Sequence, residues 1–109
     1  MKEVIFNIGL NNNTMGADSV VSTLFQNKFS LSKWAIKDGI YEDTVEPTVV
    51  AYGHTDLSTE QIISVIERLC VMMTQECIAV MIDGVGYLVY DPSFEGERYE
   101  FDKQYFLTW

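Results

Sequence analysis

At 109 residues the chain has room for one domain, 1–109, around one core. Hydrophobic residues at 48% and aromatics at 13% exclude a disordered chain, which needs low hydrophobicity together with high charge. With 7 basic against 16 acidic residues the net charge is -9, which excludes a direct grip on nucleic-acid phosphates and attraction to anionic membranes.

Segment 2–10 reads as a strand, with Val4, Phe6, Ile8 and Leu10 alternating against Glu3, Asn7 and Gly9. The run Asn11-Asn12-Asn13-Thr14 then supplies turn and N-cap chemistry. From 16 to 28 the spacing becomes helical, with Val20, Val21, Leu24 and Phe25 on one stripe and Phe29 a turn beyond. Trp34 and Ile36 share a strand face, and Asp38-Gly39 is a two-residue hairpin signal with 40–45 as the returning strand. The β-rich run 48–53 follows Pro47, and 40–53 is open between one bent strand and two.

Ser58-Thr59-Glu60-Gln61 fits a capping box, and Ile62, Ile66, Leu69 and Met73 lie along one stripe widened by Ile63 and Cys70. Segments 77–82 and 85–90 flank Asp83-Gly84, the preferred hairpin turn. Both faces of that hairpin are apolar, so it is either covered on both sides or offers one face as an interface. Segment 91–97 reads as an acidic loop. Tyr99, Phe101, Tyr105, Leu107 and Trp109 then share one parity, which predicts a docked final strand.

This order predicts an α+β fold: a ferredoxin-like β-α-β-β-α-β domain with extra C-terminal strands, its antiparallel sheet carrying two helices on one face. Such a frame hosts many functions, so it decides none.

Chemistry-bearing residues are sparse. Cys70 and Cys77 sit among apolar neighbours and read as reduced core residues. His54, the one histidine, stands in Gly53-His54-Thr55-Asp56 before a helix start, where a base steered by Asp56 or a metal ligand would be well placed. No nucleophile or further ligand accompanies it, so no catalytic residue, metal or cofactor is expected. Gly84-Val85-Gly86 precedes a strand and fails the context of a phosphate loop.

The acids form two clusters. Asp38, Glu42, Asp43 and Glu46 crowd the middle hairpin; Asp91, Glu95, Glu97, Glu100 and Asp102 crowd the last stretch. They read either as a solubilising surface or as a face that docks on a basic protein. On the docking reading the contact residues are Asp38, Glu42, Asp43, Glu46, Glu95, Glu97, Tyr105 and Trp109.

Two runs, Glu46-Pro47-Thr48-Val49-Val50 and Gln75-Glu76-Cys77-Ile78-Ala79-Val80, resemble segments of small uncharacterised proteins of phages and other bacterial mobile elements. The resemblance implies a bacterial or phage setting and an accessory or inhibitory role, with no residue roles to carry over. No apolar run approaches the roughly 20 residues of a membrane span, and Met1-Lys2-Glu3 opens no signal peptide, so a cytoplasmic location is expected. The expected function is a non-enzymatic protein-binding module, a homodimer or the partner of another protein, in sharper form an acidic inhibitor of a nucleic-acid-handling protein. The alternative is a small enzyme or metal-binding protein using His54 and Asp56.

Overall fold

The computed structural model describes residues 1–109. Its elements in chain order are β1 (Lys2–Gly9), α1 (Ala17–Gln26), β2 (Ser30–Tyr41), β3 (Thr44–Thr55), α2 (Thr59–Met73), β4 (Cys77–Ile82) and β5 (Val85–Tyr90), followed by a single 3-10 turn at Lys103–Tyr105. The protein is α+β, with two helices and one five-stranded antiparallel sheet in the order β2-β3-β1-β4-β5. The added edge strand β5 sets it apart from a plain split β-α-β arrangement.

Alternation along the three inner strands sorts residues to two faces. On the first face Val4, Phe6 and Ile8 of β1 join Val49, Ala51, Ile78, Val80 and Ile82 in one cluster with Val20 and Leu24 of α1 and Ile62, Ile66 and Leu69 of α2. Both helices therefore cover this face. Phe6 lies at its centre, packed edge-on against Phe29 with ring centroids 4.9 Å apart.

The α2 start forms as its sequence dictates: the Ser58 hydroxyl accepts from the Gln61 amide, and the Gln61 side chain accepts from the Ser58 amide. Ser58→Ala is expected to lower stability by about 1 kcal/mol in urea unfolding, with the α2 contacts otherwise kept. The α1 start differs from expectation. Gly16 is its N-cap without a side-chain cap, and Asn13 instead shapes the preceding loop by accepting from the Met15 amide and donating to the Gly9 carbonyl. Phe25, read as part of the buried stripe, is exposed at the penultimate position of α1.

Asp38-Gly39 is not a turn. β2 runs straight through it and reverses at Glu42 and Asp43, both in the left-handed region with φ 49° and 63°. Such residues suit the tight turn that matches strand twist, although Gly and Asn adopt it more easily. Consequently 44–55 is one strand, and 40–41 belongs to β2. The Asp83-Gly84 turn is as predicted, with φ 47° and 82°.

The final strand is also corrected. Segment 91–109 pairs with no sheet edge. It crosses the second face of the sheet, where Phe101 lies on Gly86 and the Tyr99 amide donates to the Tyr90 hydroxyl at 2.7 Å. Asn7 anchors it at mid-sheet: its amide nitrogen donates to the Leu107 carbonyl at 3.0 Å and its oxygen accepts from the Leu107 amide at 2.7 Å. A side chain thus supplies the two bonds that a neighbouring strand would have supplied. The 3-10 turn shifts the inward register, so the Phe101 and Phe106 rings meet at a tilt, centroids 5.2 Å apart, while Tyr99 and Tyr105 stay exposed. The β4–β5 hairpin, apolar on both sides, is covered by α2 on one face and by this segment on the other.

Candidate functional site

β2 and β3 are twelve residues each, whereas β1 has eight. The β1–β3 pairing ends at Gly9 and Thr48, so the β2–β3 hairpin beyond that level projects as an arm. On the first face the arm leaves Ile40 and Val45 more than half exposed. Its other side faces segment 91–109 across a groove of about 420 Å3.

The groove floor is Asn7 and Gly9 of β1, Cys77 and Ala79 of β4 and Leu88 of β5. One wall is the arm, with Tyr41, Glu42, Asp43 and Glu46; the other is the segment, with Tyr99, Glu100, Phe101, Asp102, Tyr105 and Phe106. Five carboxylates line it and no Lys, Arg or His does. None is neutralised by an ion pair, since the chain's single one joins the Met1 amine to Asp56 at 4.0 Å, far along the sheet. Lys37, the nearest strand lysine on this face, is turned away: it donates to the Thr108 carbonyl and lies over the Trp109 ring with Lys33. The groove therefore carries an uncompensated negative potential between aromatic walls.

Glu46 is the carboxylate nearest the floor. It lies over Gly9, whose missing Cβ leaves the room it occupies. Burial raises its pKa, opposed by a hydrogen bond from the Asn11 backbone amide. A carboxyl whose folded pKa exceeds its unfolded value favours the fold most at low pH, and that contribution is lost as pH rises through the folded value. Glu46→Gln should therefore raise the melting temperature at pH 7 and give no gain at about pH 3, as thermal unfolding at the two pH values would read.

Burial is also the leading cause at Tyr41, Cys77 and Cys70. The Tyr41 hydroxyl donates to Glu76 at 2.8 Å, and desolvation first, then this bond, raises its pKa. The Cys77 thiol is pushed up to about 11 and the Cys70 thiol to about 12, each chiefly by burial. Both cysteines are free.

Of the residues nominated from sequence, the fold brings Glu42, Asp43, Glu46 and Tyr105 together. Asp38 does not join them, because it pairs with Pro47 on the parity of the first face. Glu95 and Glu97 are exposed in the loop after β5 and do not line the groove. Trp109 lies at the β2 edge, occupied by Lys33 and Lys37. Sequence reasoning did not select Glu100, Asp102, Tyr41 or Tyr99. The two acids were visible as part of a charge cluster, but nothing local told that the cluster faces the arm.

His54 and Asp56 turn to different neighbours. His54 packs edge-on against Tyr52 near the end of β3, and Asp56 is turned to the Met1 amine. The shallow basin at the start of α2 is lined by Lys28, Gln61, Ser64 and Arg68 among others, and by neither His54 nor Asp56. No helix is long and apolar enough to cross a membrane. No protein-family model, curated protein or solved structure matches the chain.

Proposed function

We propose that this chain is a non-enzymatic binding module that docks on a basic surface of another protein through the arm and segment 91–109. The observation that carries this reading is the groove between them, with five carboxylates, no cationic side chain and no ion pair. Carboxylates set around one groove without counter-charges give it a negative potential, which a cationic partner neutralises. In its sharper form the partner is a nucleic-acid-handling protein whose basic cleft the module occupies in place of phosphates. The setting is then the cytoplasm of a bacterium, with the chain an accessory protein of a phage or mobile element, as the resemblance of 46–50 and 75–80 implies. The frame is read as ferredoxin-like, with β5 as its extension.

The test uses an arginine-rich peptide as a stand-in for the basic surface, titrated calorimetrically at about 50 and about 500 mM salt. Binding should be strong at low salt and weaken steeply at high salt. Removing three groove charges (Glu42→Gln, Glu100→Gln, Asp102→Asn) should abolish it. Removing three helix charges (Asp18→Asn, Glu60→Gln, Glu67→Gln) should leave it nearly intact. Equal losses from both triple variants would contradict a localised docking face.

Self-association is the second reading, and one observation favours it. β2 is a twelve-residue edge strand with Trp34, Ile36 and Ile40 exposed along one side, which a second copy could pair with and cover.

A further inference from the structure

The groove is more than a charged surface, because its interior has the shape and lining of a pocket for one kind of side chain. We propose that it seats an arginine of the partner protein, its guanidinium held between the aromatic walls and paired with Glu46. This rests on the docking reading above and names what the partner must present.

Four observations select arginine. The cavity, about 420 Å3, has room for a long side chain together with part of its backbone. Its aromatic lining comes from both walls, Tyr41 on the arm and Tyr105, Phe101 and Phe106 on segment 91–109. A planar, weakly hydrated cation stacks on such faces, whereas a compact ammonium keeps its water more tightly. The carboxylates are spread around the cavity, and no three Asp, Glu, His or Cys side chains converge on a point that could hold a metal ion. Dispersed acceptors match a forked donor with five N–H groups better than they match a spherical ion. Finally, Glu46 sits deepest, in the room left by Gly9, where it has an amide partner but no counter-charge and a charge-assisted bond is strongest.

The experiment titrates the full chain with four neutral-flanked peptides that differ at one central residue: arginine, lysine, norleucine and citrulline. Citrulline keeps the shape of arginine and loses the charge. The arginine peptide should bind at least about tenfold more tightly than the lysine and citrulline peptides. Glu46→Gln, a variant expected to be at least as stable as the parent at pH 7, should weaken the arginine peptide by about tenfold or more and leave the norleucine peptide unchanged. Citrulline binding as well as arginine, or lysine matching arginine, would overturn the proposal. So would calcium ion displacing the arginine peptide at equal concentration. If the arginine-rich peptide still binds with the groove triple variant's sensitivity while single-arginine peptides ignore Glu46→Gln, the docking surface stands and the arginine pocket falls.

Discussion

Phe6→Ala is expected to lower stability by about 3–5 kcal/mol, the largest effect of any single truncation in the chain. Phe6 is fully buried on the central strand β1, with β3 on one side and β4 on the other. Its ring meets Phe29 edge-on, so truncation removes apolar burial and an aromatic contact and leaves a void between sheet and helices. Domains of this size are stable by roughly 5–15 kcal/mol, so a large share of the margin would go. Urea unfolding followed by circular dichroism measures it. A loss under about 1 kcal/mol would mean that the sheet and helices close over the site without the ring.

The second large effect concerns the segment rather than the core. Gly86→Val places a side chain where the Phe101 ring now lies against the strand backbone. Valine suits a strand better than glycine does, so β5 itself should persist. The clash falls on segment 91–109, at a cost of about 1–3 kcal/mol. That cost is local, because the segment is joined to the sheet through few bonds: the Asn7–Leu107 pair, Tyr99 to Tyr90, and Lys37 to Thr108. Hydrogen exchange should therefore quicken by about ten- to hundredfold at the Leu107 and Tyr99 amides while amides of β1 and β3 keep their protection. The groove loses its second wall, and binding of the arginine-rich peptide should fall with it. Uniform loss of protection across the sheet would instead show that the segment is part of the core's cooperative unit.

The parts of this fold governed by local chemistry were legible in the sequence. Ser58 to Gln61 announces its helix because a hydroxyl and an amide three residues apart satisfy each other's neighbouring amides. Asp83-Gly84 announces its turn because glycine takes a positive φ at no cost. Asp38-Gly39 carries the same signal and misleads, since Gly39 serves a close approach of Thr48 across the ladder rather than a turn. The true turn, Glu42-Asp43, holds two side chains in a backbone region they seldom visit, and the long pairing of β2 with β3 overrides that preference.

The reading of 99–109 as a strand failed for a similar reason. Alternating aromatics imply a two-faced strand only if the chain stays extended, and the turn at Lys103–Tyr105 moves Phe106 inward out of parity. Asn7 was legible as a polar residue on the second face of β1, but its partner lies 100 residues away. The site was half legible on the same terms. Composition marked both acid clusters, and four of the eight nominated residues line the groove. That the clusters face each other across Gly9 and Ala79 is a tertiary fact with no local signature.

The most direct measurement of the account is an NMR titration of the isotope-labelled chain with the arginine-rich peptide at low salt. Shifts confined to the groove, at 39–48, 99–106 and the floor residues Asn7, Gly9, Cys77, Ala79 and Leu88, collapsing at high salt, are the predicted result. Shifts centred on 54–56 and the start of α2, or none at all, would contradict it.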